Sequence, residues 1–320
     1  MKTLLITTLL IANSLTISAQ TWETLSPTNN CTNRHENTLA AVGDKLILFG
    51  GRGIKPTEIY DIKENTWIKT PNTPLEFNHL QAVAYKGEVY VIGAFEGGYP
   101  HETPIKSIYI YNSEKQEWRK GDDIPTDRLR GSAGLVLYKN KFYVVCGIQD
   151  GHWDGHVAWL DQYDPETHTW KKLADAPHAR DHVSAAIVND KIYVAGGRRS
   201  SAKINKVFQL TEPAVDVYDF KTQTWTTLPE SLNLPTPRAG NSAVVLGNEL
   251  IIMGGETGQK EAHSEVEALD TKKMTWRKLP NLNKGRHGTG AVVVKKKIYT
   301  VAGSGNAGGG PELNSIEVYK

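Results

Sequence analysis

The stretch Ala179–Gly197, ARDHVSAAIVNDKIYVAGG, followed at Val215–Trp225 by VDVYDFKTQTW, holds the plan of the whole chain. Two short apolar runs flank the turn at Asn189-Asp190, and the second closes on a small pair, Gly196 and Gly197. In the second segment Tyr218 and Trp225 bracket a charged, Thr-rich turn. Apolar runs separated by turn residues read as hairpins, so the unit is four short strands in succession, opened by Arg180.

The same unit recurs outward in both directions. Tyr60 and Trp67, Tyr111 and Trp118, Tyr163 and Trp170, Tyr218 and Trp225, and Leu269 and Trp276 are each seven positions apart. Arg34 precedes Gly50, Arg130 precedes Cys146, Arg180 precedes Gly196, Arg238 precedes Gly254 and Arg286 precedes Ala302, always by sixteen. Units begin near Arg34, Phe77, Arg130, Arg180, Arg238 and Arg286, at a period of about 50 residues.

On these residues, and on RHENTLAAVGDKLILFGG at Arg34–Gly51 and PRAGNSAVVLGNELIIMGG at Pro237–Gly255, the chain resembles the kelch family over essentially all of residues 20–320. The resemblance implies an all-β fold, a six-bladed kelch β-propeller. The last unit ends at IEVYK, residue 320, before a tryptophan strand, whereas TWETL at Thr21–Leu25 carries the missing pattern. The expectation is that Thr21–Leu25 forms the outer strand of the sixth blade and leaves no open edge between the first and last blades.

Residues 1–19, MKTLLITTLLIANSLTISA, combine basic Lys2, an apolar stretch and small Ala19, the anatomy of a signal peptide. The expected location is therefore exported, periplasmic or secreted, with residues 20–320 as a single propeller. A net charge of +2 gives no drive toward nucleic acid, and no later apolar run is long enough to cross a bilayer. The two cysteines are Cys31 and Cys146. Export permits a disulfide, while Cys146 at a strand end reads as a small packed hydrophobe, so their pairing stays open.

Strand parity places the functional face. In an antiparallel meander the loop after the second strand shares a face with the start of the first. One mouth is therefore expected to gather Arg34, His79, Arg130, Arg180, His182, Arg238 and Arg286, with Glu36 beside Arg34. Arg52, Glu96, Gln149, Asp150, Arg198, Arg199 and Glu256 follow on the loops. Converging guanidinium groups favour a carboxylate, sulfate or phosphate, and the residues flanking the arginines vary between units more than a purely structural repeat requires.

The third unit carries an insert, QDGHWDGHVAW at Gln149–Trp159. Trp153 is expected to offer a flat face to a sugar ring. His152 and His156 lack a third ligand in the sequence, so no metal and no cofactor are expected. The stretch Gly303–Leu313 lacks the Lys-Ser/Thr ending of a phosphate loop and reads as a thin loop near the mouth, with Glu312 as a polar contributor.

The resemblance to kelch propellers implies three uses. Galactose-oxidising copper enzymes need tyrosines, histidines and a tyrosine-cysteine cofactor that these residues do not match. Exported bacterial sialic-acid mutarotases share the size and blade number; there an arginine would hold the carboxylate, and Glu256, Glu96 and His182 are the candidates for proton transfer. Kelch domains also bind protein partners. The expectation drawn from all of this is an exported propeller whose mouth binds, and in one alternative interconverts, a small acidic sugar or a sulfated oligosaccharide. Arg34, His79, Arg130, Arg180, Arg238, Arg286, Arg198 and Trp153 would form the binding surface, and a protein-binding scaffold is the remaining alternative.

Overall fold

The computed structural model describes residues 20–320; the proposed signal segment, residues 1–19, lies outside them. Six four-stranded antiparallel sheets stand around a central axis. Blade 4, the unit quoted above, runs Ala185–Val188, Lys191–Val194, Asp216–Asp219 and Thr224–Thr227 from the axis outward. The other blades repeat this order, and their innermost strands abut in sequence until the sixth meets the first.

Blade 6 is built from both ends of the chain. Ala291–Val294, Lys297–Val301 and Ile316–Tyr319 supply three strands, and Trp22–Thr24 supplies the fourth, with Trp22 opposite Tyr319. Backbone bonds from Leu25 to Ile316 and from Lys320 to Thr21 extend the pairing over the whole expected segment. Each seven-residue spacing becomes a direct cross-strand pair, as for Tyr60 and Trp67. The indole N–H of Trp118, Trp170, Trp225, Trp276 and Trp22 donates to the blade before its own; Trp22 reaches the Pro280 carbonyl at 2.9 Å. These five tryptophans therefore both fasten their outer strands and stitch them to the neighbouring blade, whereas the buried Trp67 indole N–H of blade 1 has no such partner.

The apolar core lies between blades, not on the axis. Leu48 and Tyr60 of blade 1 pack with Val301 and Val318 of blade 6, and Val194 and Tyr218 of blade 4 pack with Val145 and Leu160 of blade 3. Alternation along each strand sends apolar side chains to both faces of a blade, where the next blade covers them. Cys31 and Cys146 are buried and unbonded, which settles their pairing. Burial pushes the Cys31 thiol up to about 12 and the Cys146 thiol up to about 11.

A belt of hydrogen bonds closes the ring at the axis. The amide of His79 donates to the Glu36 carbonyl, Ser132 to His79, Gly240 to His182, Gly288 to Gly240, and Asn37 to Gly288. The remaining junction is the His182 amide on Ser132 Oγ at 2.9 Å. Among the described residues no helix is long and apolar enough to cross a membrane.

Candidate functional site

The residue two places after each unit-opening position turns onto the axis with a left-handed backbone. Glu36 (φ 55°), His79 (51°), Ser132 (55°), His182 (51°), Gly240 (63°) and Gly288 (58°) are equivalent positions in the six blades. Glycine adopts this conformation freely, whereas a side chain there costs roughly 1 kcal/mol or more. Blades 5 and 6 keep glycine, and a Cβ on Gly288 would meet the Glu36 carboxylate at 2.7 Å. Blades 1, 2 and 4 bear the strain in order to place a carboxylate and two imidazoles on the axis.

His152, from the insert of the third unit, completes a triangle with the two axial histidines. Its ring centroid is 4.9 Å from that of His79 and 4.7 Å from that of His182, and His79 and His182 are 4.7 Å apart. In each ring Nδ1 faces a side-chain oxygen: Asn78 Oδ1 at 2.6 Å for His79, the Glu102 carboxylate at 3.0 Å for His152, and the Asp181 carboxylate for His182. Asn78 uses its amide nitrogen on Glu76, so its oxygen accepts and His79 Nδ1 donates. Nε2 is then the lone-pair nitrogen of each neutral ring. Burial lowers the pKa of His79 well below the usual value, helped by the neighbouring imidazoles and by Arg52 and Arg198. Burial and Arg198 lower that of His182 against the pull of Asp181.

Carboxylates surround the triangle. Glu256 accepts from Arg198 at 2.6 Å and from the Gly308 amide at 2.7 Å. Burial works to raise its pKa, but His287, Arg198 and Gly308 outweigh burial and hold it at about 2. Burial likewise opposes ionisation of Glu102, and His152 with Arg52 brings it to about 2. Asp181, against its burial, is held well below the carboxylate range by His182, His156 and Arg198.

Above this layer the mouth opens into a cavity of about 290 Å³. Tyr99, Val207 and Phe208 form apolar walls, while His35, Glu36, His79, His152, Arg198 and Glu256 form a polar floor with Arg52 at the side. Gly308 and Gly309, from the thin loop expected at Gly303–Leu313, complete the rim. Glu312 does not itself line the cavity and pairs with His35 of its floor at 2.8 Å and with Lys55 at 3.0 Å.

The five repeated arginines do not converge on this cavity, which corrects the expectation of a cationic ring. Arg34, Arg130, Arg180, Arg238 and Arg286 are buried inside their own blades. They pair with Glu58, Asp161, Asp216, Glu267 and Glu317 at 2.5 to 2.7 Å. Each also donates to the carbonyl sixteen residues onward, from Gly50, Cys146, Gly196, Gly254 and Ala302. A guanidinium so buried and paired closes its own sheet and is not presented to a ligand in the cavity. The partners were visible in the sequence as an acid two places before each repeated Tyr or Leu. Blade 2 lacks both members of the pair, and there Phe77 packs on Tyr109 at 5.2 Å.

Of the other expected residues, His79, His182, Arg198 and Glu256 meet at the axis, and Glu36 meets them there. Glu96 lies in a small hairpin with Thr103 and does not line the cavity. Trp153 also stands outside it, tilted against His101 with ring centroids 4.7 Å apart, so it offers no face to a ligand in this cavity. Arg52 enters beside Glu102 at 2.5 Å. His152 finds its partners in blades 2 and 4, which spacing along the chain does not reveal.

Residues 11–197 and 78–303 match the family described as the KLHDC2/KLHL20/DRC7 Kelch-repeats domain. Kelch-like protein terF of Aspergillus terreus is 27% identical over 289 residues, covering 84% of this chain and 61% of that protein. Human Kelch-like protein 23 is 26% identical over 281 residues, covering 86% of this chain and 46% of that protein. The chain thus spans roughly half the length of these relatives. The solved structure of YjhT superposes with a TM-score of 0.75 at 17% identity, over 90% of this chain and 95% of that one, a likeness of fold.

Proposed function

This chain belongs to the kelch-repeat family, and on that premise we propose that it binds a carbohydrate of about monosaccharide size in the cavity at the propeller mouth. The observation that carries this reading is the cavity itself, about 290 Å³ with aromatic walls above a polar floor. Small-ligand sites combine apolar surface with a few placed polar groups, and a sugar ring has one apolar face and a rim of hydroxyls. The preference for a sugar acid rests on Arg52, whose side chain keeps 26% exposure while paired with Glu102. Arg199, exposed on the corresponding loop of blade 4, adds positive charge to the same face. Export, proposed from residues 1–19, would bring the site to extracytoplasmic sugars.

Interconversion of the bound sugar is the catalytic form of this proposal. Ring opening needs one group to accept a proton and another to deliver one. Glu256, ionised down to about pH 2, is a poor donor. As a carboxylate that lines the cavity it is the better placed acceptor, since His182 does not reach the cavity wall.

Calorimetry against neutral, carboxylated and sulfated monosaccharides tests the binding reading. A carboxylated sugar should bind best, and Arg52→Ala should weaken it about tenfold, the loss expected of one charge-assisted contact. Preference for neutral sugars removes the acidic class, and absence of binding across the panel removes the reading. Proton NMR of anomer exchange in the best ligand separates binder from catalyst.

A protein partner is supported by a different observation. Ile54, Tyr99 and Ile204 are large, exposed apolar side chains on the mouth-face loops of blades 1, 2 and 4. A partner covering them would close the same cavity, and Ile54→Glu with Ile204→Glu should then abolish association while leaving sugar affinity unchanged.

A further inference from the structure

The three-imidazole cluster is more than the floor of a sugar pocket. His79, His152 and His182 are all buried, and one ring nitrogen from each lies within 4.8 Å of the other two. They arrive from separate segments: two from strained axial positions of blades 2 and 4, the third from the insert after the second strand of blade 3. Every Nδ1 is held by a side-chain oxygen, which fixes ring orientation and leaves Nε2 of each ring as the nitrogen free to coordinate. His182 Nε2 is buried with no protein partner. Carboxylate or carbonyl oxygens behind each imidazole are the arrangement that orients and strengthens histidine as a metal ligand.

Two features are unfavourable without a cation. His79 Nε2 lies 3.3 Å from Glu36 Oε2, a contact in which a ring carrying its one proton on Nδ1 has no hydrogen to donate. Four carboxylates, Glu36, Glu102, Asp181 and Glu256, also surround the cluster, while only Arg52 and Arg198 oppose them as permanent cations. Their remaining partners include the Ser200 and Gly308 amides, His156 and His287, so the carboxylates outnumber the permanent cations and their burial is costly. A dication offsets the excess and turns the meeting of His79 and Glu36 into an attraction.

We propose that His79, His152 and His182 form a metal site on the propeller axis. Through its three Nε2 atoms the site takes a divalent first-row transition-metal ion, with one coordination position open toward the mouth cavity. Imidazole nitrogens suit zinc and its neighbours, whereas magnesium and calcium require oxygen-rich sites. A tetrahedral ion holds its nitrogens at ~2.0–2.1 Å and so sets them about 3.3 Å apart, which each ring reaches by moving its nitrogen less than about 1 Å. Three protein ligands and an open position are the pattern of a site that polarises a ligand oxygen. The absence of a metal expected from sequence followed from the missing third ligand, and the fold supplies two more imidazoles to His152.

The test requires no sugar, so it stands or falls separately from the carbohydrate reading. Chelator-treated protein titrated with Zn²⁺ should bind one ion per chain at this site. His152→Gln and His182→Gln should each weaken it more than tenfold. Glu102→Gln, which leaves all three ligands in place, should weaken it by about 10–100-fold through the loss of orientation. Unchanged affinity and stoichiometry in both histidine variants would assign the zinc to surface groups and overturn the site. Should those variants fail to fold, Co²⁺ added to the wild-type chain decides. Intense visible bands of a four-coordinate ion, abolished by Zn²⁺, are expected, and a weak six-coordinate spectrum refutes the site.

Discussion

The His182 amide donates to Ser132 Oγ at 2.9 Å, and among the described residues this is the one junction of the axial belt that runs through a side chain. The two blades it joins also supply His152 and His182, so the bond sets their separation. Ser132→Ala leaves a buried amide without an acceptor and should cost about 1–3 kcal/mol. Urea denaturation gives the value, and an unchanged midpoint would show that water or a shifted neighbour replaces the hydroxyl.

Arginine substitutions should act on stability and not on ligand affinity. Arg180→Ala takes the guanidinium from buried Asp216 and leaves it only His178 and the Thr227 hydroxyl, and breaking such a pair costs about 3–5 kcal/mol. Blade 2 indicates the remedy, since Phe77 and Tyr109 fill the equivalent positions. Arg180→Phe combined with Asp216→Tyr should recover most of the loss in thermal unfolding. Arg180→Ala protein that remains folded at low temperature should bind any mouth ligand as the wild type does.

Closure by the N-terminal strand gives Trp22 an effect at the opposite end of the chain. Trp22→Ala should cost about 3–5 kcal/mol as a buried aromatic truncation. Hydrogen exchange should accelerate in Ile316–Tyr319 as well as around Thr24, because the two strands share one ladder. Acceleration restricted to the N-terminal residues would mean that the last three strands stand alone.

Stability should peak near neutral pH in metal-free protein. His79 and His182 have lowered folded pKa values, so the unfolded chain binds more protons below about pH 6.5 and stability falls as the pH drops. His156 works the other way: burial opposes its charge, but Asp181 raises its pKa. Its contribution is complete below about pH 6.5 and is lost as pH rises through the folded value. Melting temperatures from pH 5 to 8 should therefore show a maximum, and His79→Gln should flatten its acidic side.

The architecture was legible in the sequence because tryptophan, tyrosine and the small pairs recur wherever four strands must be ordered and stitched. Trp22 was readable for the same reason, being a repeat residue displaced to the far end. The arginines were equally regular, and that regularity marked scaffold, since each repeats together with its acid on the third strand. The side chains gathered at the axis departed from the repeat instead. Glu36, His79 and His182 occupy a register where Gly240 and Gly288 show that a bare backbone suffices. His152 belongs to no register at all, and only the fold brings it to the axis.

The meeting of Trp22 with Tyr319 also governs when the site comes into being. A pairing between residues nearly a whole chain apart has the highest loop-closure cost in the molecule and forms late. Until it forms, blade 6 is unfinished, and the belt joining Gly288 to Asn37 lacks its support. Glu36, His287 and Glu256, which reach the axis from blades 1, 6 and 5, then have no fixed relation to the histidines of blades 2 to 4. Capacity to bind at the mouth therefore reports on closure of the ring: a chain interrupted before Ile316–Tyr319 retains most of its blades and has no finished site.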